Sequence, residues 1–161
     1  MKIIVIFVSL LFVFSANAEV LELNWLDLVP DHEKELVMES VRTQSQFGLH
    51  DESSTEVGEQ KLLGSVRPEL NNKQVKIPGF IIPIEGTSMS VKEFLLVPFY
   101  GACIHIPPPP QNQLIYVVMD DFEDIKGMWE VVYVTGTLKT EPLEHELALV
   151  GYKIEGFQLD R

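Results

Sequence analysis

The alternation of apolar and polar positions divides the chain into distinct stretches. Ile3 to Phe14 is almost wholly apolar. From Glu19 to Pro30, Leu21, Leu23, Trp25, Leu26 and Leu28 predict a short extended arm whose apolar side chains dock on the rest of the chain. His32 to Phe47 predicts a helix, with a loose apolar face of Leu36, Val37, Val41 and Phe47. Asp31 is placed to cap it, and Glu33 and Glu35 fall in the first turn, where the helix dipole favours acids. Leu49 to Gln60 is rich in Ser, Asp, Glu, Thr and Gly and predicts a flexible loop.

From Asn72 the pattern becomes that of strands. They are expected at Lys73–Glu85, Lys92–Pro98, Leu114–Asp120, Met128–Lys139 and Ala148–Leu159. Pro78 and Pro83 should bend the first, and Gly79 suggests a bulge in it. Asp120 and Asp121 read as the turn that ends the third strand, and Glu141 to Leu147 as one helical turn. No internal repeat is visible. Five short strands in roughly 90 residues, several with internal glycines where a barrel coils hardest, point to a small closed barrel. The expected fold is mainly β: a five-stranded OB-like barrel over 72–161, preceded by an arm, a helix and a loop over 19–71. An open antiparallel sandwich is the alternative.

The first 18 residues read as an address and not as part of the fold. Met1-Lys2 is a short positive start, the apolar run is too short to span a membrane, and Ala16-Asn17-Ala18 is a small-x-small cleavage site. Residue 19 is Glu, which offers no lipid attachment at the cut. A secretory signal peptide over 1–18 makes the mature chain an exported, periplasmic one. The remainder of the 161 residues suits one domain. The net charge of −12 argues against nucleic acid and anionic membrane surfaces as partners, since both repel an acidic protein. A single cysteine excludes an internal disulfide, so in an oxidising compartment Cys103 must be shielded, metal-bound or paired with another molecule.

The candidate chemistry is concentrated between Phe99 and Gln113. If Cys103 to His105 is extended, the thiol and the imidazole leave the same face. Together they supply half of a zinc or copper site. His145, among Glu141, Glu144 and Glu146, is the candidate third ligand, and Glu85 is a further carboxylate near the barrel. A buried Cys103 beside a hydrogen-bonded His105 would look the same in sequence. Pro107, Pro108, Pro109 and Pro110 cannot donate backbone hydrogen bonds and favour a stiff path. With Phe99, Tyr100 and Asn112 they could form a groove for a peptide or a transporter subunit. A thiol enzyme, with Cys103 as nucleophile and His105 as base, is disfavoured because side chains two apart on a strand run parallel and no orienting group is assignable. His32 and His50 read as solvated, and Trp25 and Trp129 as core or docking residues.

Several of these segments together resemble the DUF3299 family of exported bacterial proteins. They are Gly79-Phe80 to Pro83, Glu93-Phe94-Leu95-Leu96-Val97-Pro98, Gly101 to Pro110 with Asn112-Gln113, Val134-Thr135-Gly136-Thr137-Leu138, and Gly151-Tyr152. Trp25 to Pro30 is similar to the family's opening. The family is defined by sequence more than by activity. Its members are often encoded beside ABC transporter components, some in zinc-responsive clusters. The resemblance therefore implies a periplasmic accessory role in metal supply. The expectation is a non-enzymatic protein that binds a transition metal, zinc first, through Cys103, His105 and His145 in support of an ABC transport system. A metal-free adaptor using the proline wall is the alternative.

Overall fold

Strand β2 (Gln74–Gly86) is long enough to serve two partners, and that closes the fold. The computed structural model describes residues 19–47, 64–100, 102, 108–145 and 148–161, the side chains of 43–47 excepted. Residues 74–79 of β2 pair antiparallel with β5 (Val132–Lys139), and residues from Phe80 onward pair with β3 (Ser90–Val97). β3 continues to β4 (Ile115–Asp124), β4 to β8 (Tyr152–Asp160), and β8 back to β5. The result is the expected closed five-stranded barrel, mixed because β4 and β8 run parallel. The sandwich alternative fails, since β5 returns to β2 and leaves no open pair of sheets.

Alternation explains the core. Val75, Ile77 and Ile81 of β2, Val91, Phe94 and Leu96 of β3, Ile115, Val117 and Met119 of β4, Val132, Val134 and Leu138 of β5, and Tyr152 and Ile154 of β8 all point inward and are buried together. Gly79 is not a bulge. It stands where β2 changes partners, opposite Val132, and a side chain there would run into Leu96 and the carbonyl of Val97. The irregularity lies further on, between Pro83 and Gly86. β4 runs through Asp120 and Asp121 to Asp124, so these acids are not a terminal turn.

The N-terminal segment docks as expected. β1 (Leu21–Glu22) adds parallel to β2, Leu21, Leu23 and Trp25 pack on the barrel core, and the Trp25 indole donates to the carbonyl of Pro78 at 2.8 Å. A 3₁₀ turn at Trp25–Leu28 is capped reciprocally by Asn24 and Asp27, and Leu28 is fully buried. Helix α1 (Lys34–Phe47) follows another 3₁₀ turn at Asp31–Glu33. Asp31 is therefore not its cap: it sits inside that turn and pairs with Lys34 at 2.6 Å. α1 buries Val37 and Ser40, but Leu36, expected on its apolar face, is exposed, as is Met38. Residues 141–147 are not a helical turn as far as they are described. β6 (Leu143–His145) pairs with β7 (Ala148–Val150) in a small hairpin before β8. Trp129 is 65% exposed and so is not a core residue, which leaves of the two expectations only that of a docking residue. The expected loop at 49–60, with His50, lies outside the described residues.

Candidate functional site

The outer face of β2, β3 and β4 carries a second apolar cluster separate from the barrel interior. Leu95 and Val97 of β3, Leu114, and Ala148 and Val150 of β7 are buried there with Ala102. Phe80, Ile82, Ile84, Phe99 and Tyr116 pack on it half-buried. β3 is therefore covered on both sides, which is why its sequence Glu93-Phe94-Leu95-Leu96-Val97 breaks alternation. The face lies between the connection that follows β3 and the β6–β7 hairpin. Such a strand face and its neighbouring loops are where OB-like barrels take ligands.

Polar groups gather at its edge. Glu85 and Glu93 stand directly opposite each other across the β2–β3 ladder, an arrangement of like charges that costs stability unless something answers it. Glu93 accepts the hydroxyl proton of Tyr116, which stands opposite Leu95 on β4. Burial pushes the Tyr116 phenol up to about 12, and the hydrogen bond and negative charge of Glu93 add to the rise. The His145 ring faces the Tyr116 ring, with centroids 6.1 Å apart and planes inclined by 31°. An apolar dimple of about 40 Å³, close to the size of one water, lies beside this face among Phe80, Ile82, Val97, Tyr100 and Met128.

The residues singled out from sequence fall into three groups. Cys103, His105 and Pro107 lie outside the described residues. His145, Phe99 and Tyr100 are on or beside the outer face, Tyr100 exposed and in edge contact with Phe80 at 6.2 Å. Asn112 and Pro108 to Pro110 are buried. They offer no free wall to a partner along that part of the run. The Asn112 amide instead donates to the carbonyl of Ser65 at 3.1 Å, while Ser65 gives its N–H and hydroxyl to Glu33. Gln113 donates to the carbonyl of Trp25 at 3.0 Å. The pair after the prolines thus fastens the N-terminal segment to the barrel. Among the described residues, no three His, Cys, Asp or Glu side chains are close enough together to hold a metal ion.

Sequence reasoning missed Tyr116 and Glu93 as members of this face. Their signal was available: an acid directly before the apolar run Phe94 to Val97, and a hydroxyl-bearing aromatic in the neighbouring strand. What it lacked was the register that sets them side by side.

A family model described as a protein of unknown function (DUF3299) matches residues 25–161. A crystal structure of a DUF3299 family protein from Pseudomonas aeruginosa, at 2.45 Å resolution, is 31% identical, covering 88% of this chain and 95% of that one with a TM-score of 0.66. No curated protein matches the chain.

Proposed function

Because the chain belongs to the DUF3299 family, a family without an assigned activity, its role has to be argued from its own residues, and we propose that it is an exported accessory protein that binds a transition metal, zinc first, at the rim of the outer face. Cys103 and His105 would be the thiolate and imidazole ligands and His145 the third. The observation that supports this is the meeting of two separate segments. Ala102, which Cys103 follows directly, is buried in the same cluster as Ala148 and Tyr116, and the ring of Tyr116 faces His145. The facing carboxylates Glu85 and Glu93 make the same rim attractive to a cation. The role in an ABC transport system, and export itself, rest on the family resemblance and the N-terminal segment.

Zinc affinity measured by competition with a chromophoric chelator tests the reading. The full chain should take up one zinc, and Cys103→Ala with His105→Ala should weaken binding at least tenfold. Equal stoichiometry and affinity in the double variant would remove these residues as ligands. A second reading, a metal-free adaptor, is favoured by the half-buried Phe80, Ile82 and Ile84 beside the exposed Tyr100. In that case Tyr100→Ser would abolish association with a transporter subunit while zinc had no effect on it.

A further inference from the structure

At the barrel end remote from the β6–β7 hairpin, two ladder irregularities push aromatic side chains into solvent. Between β5 and β8, Thr135 faces Gln158 and Gly136 faces Gly156, so Phe157 is an extra residue with no partner. Between β3 and β4, Val91 faces Glu123 and Glu93 faces Val118, so Phe122 lies in a stretch of four residues opposite Lys92 alone. Bulges of this kind at barrel rims re-aim side chains. Phe122 is 55% exposed and Phe157 47%. β4 and β8 are neighbours whose last pair is Met119 with Gly156, so both rings emerge just past the same point. Met89, in the turn from β2 to β3, is also exposed at this end, where its carbonyl accepts the N–H of Ile125. Two large rings exposed on neighbouring strands give this end apolar anchors that the rest of the fold does not use.

We propose that this barrel end docks a cationic amphipathic protein segment, with Phe122 and Phe157 as the apolar anchors. Charge decides the partner. Asp120, Asp121 and Asp124 are exposed around the rings, with Glu123 and Glu130 half-buried beside them. The Lys92 ammonium already stands 6.0 Å from the Phe122 ring centroid, so that ring presents its electron-rich face to cations. The net charge of −12 sets a second copy of the chain, or an anionic lipid surface, against this rim by repulsion. A segment bearing Lys or Arg among large apolar residues satisfies both the rings and the acids. The surface uses none of the residues proposed as metal ligands, although Glu93, at the edge of the metal rim, borders the β3–β4 irregularity.

The test uses the full chain and two synthetic peptides of one amphipathic pattern, Lys–Leu and Glu–Leu. Isothermal titration calorimetry reports binding. The Lys–Leu peptide should bind saturably, and Phe122→Ser with Phe157→Ser should weaken it by about tenfold or more, the scale of losing buried aromatic anchors. Asp120→Asn with Asp121→Asn should weaken it and flatten its salt dependence, whereas Glu141→Gln with Glu144→Gln, near the hairpin, should not. Both phenylalanines are solvent-facing, so circular dichroism should show the variant folded. The proposal is overturned if the phenylalanine variant binds as the parent does, if the Glu–Leu peptide binds equally, or if the hairpin variant loses as much. It is also overturned if the patch mediates self-association, or if it binds neutral phosphatidylcholine vesicles in place of the peptide.

Discussion

The hydroxyl of Tyr152 donates to the carbonyl oxygen of Leu28 at 2.7 Å and accepts the backbone N–H of Arg67 at 2.7 Å. Both side chains are fully buried, and 124 residues separate them in sequence. One phenol at the start of β8 thus joins the N-terminal 3₁₀ turn, the segment before β2 and the barrel wall. Tyr152→Phe keeps the ring and strands two backbone groups. It should lower stability by about 1–3 kcal/mol, measured by urea unfolding. Burial also pushes this phenol up to about 12. An unfolded tyrosine titrates near 10. The folded form therefore holds its proton to higher pH, so its contribution is complete below about pH 10 and is lost as pH rises toward 12. Tyr152→Phe should flatten that alkaline loss.

Asn112 should behave as a fastening and not as a surface contact. Its amide reaches Ser65, which holds Glu33 through two further hydrogen bonds. Gly64, with φ at 116°, brings its backbone so close that a side chain there would strike the Asn112 amide. Asn112→Ala should cost about 1–3 kcal/mol in denaturant unfolding and speed hydrogen exchange at Ser65. Unchanged stability would mean that its bond to Ser65 does not fasten the two segments.

Gly136 and Gly156 face each other across β5 and β8, but they are not equivalent. A Cβ on Gly136 would lie 2.4 Å from the carbonyl oxygen of Glu155 and 2.8 Å from the Cα of Gly156, which are backbone and cannot swing away. A Cβ on Gly156 would meet chiefly the sulfur of Met119, at 2.4 Å, on a flexible side chain. Gly136→Ala should therefore cost about 1–3 kcal/mol, within the range of overpacked cores, and Gly156→Ala clearly less. Thermal unfolding of the two variants side by side decides this.

Glu93 and Tyr116 can be separated by titration. Glu93→Gln removes the negative charge and the charged acceptor that help to raise the phenol, leaving burial as the main cause. The Tyr116 transition, followed by phenolate absorbance against Tyr116→Phe, should move down from about 12 toward the ordinary value near 10. No movement would mean that Glu93 is not its partner in solution.

The barrel was largely legible because its strands alternate cleanly. Val75, Ile77 and Ile81, or Ile115, Val117 and Met119, announce both a strand and its buried side. The errors fell where register decides. Gly79 reads as a bulge in one dimension, yet it marks the crossing of β2 from β5 to β3. Asp120 and Asp121 read as a turn, yet they belong to the bulged part of β4. Glu141 to Leu147 has helix-forming residues, but a hairpin that covers Leu95 and Val97 with Ala148 and Val150 wins by burial. Of the residues the sequence singled out for a site, the structure describes some and not others. The sequence pointed to the chain after β3 and to His145, and the outer face gathers Phe99, Ala102 and His145 around Tyr116. The role of Asn112 was hidden, because a short polar side chain that fastens two distant segments looks like one that meets a partner.

The central proposal, a zinc held by a sulfur and imidazoles at the edge of the outer face, is tested most directly by X-ray absorption at the zinc edge of the full chain loaded with one equivalent of zinc. The account predicts one sulfur near 2.3 Å with nitrogen or oxygen neighbours near 2.0–2.1 Å. It also predicts that Cys103→Ser removes the sulfur shell and that His145→Ala removes one nitrogen. A spectrum with no sulfur neighbour, or one unchanged in Cys103→Ser, would contradict it.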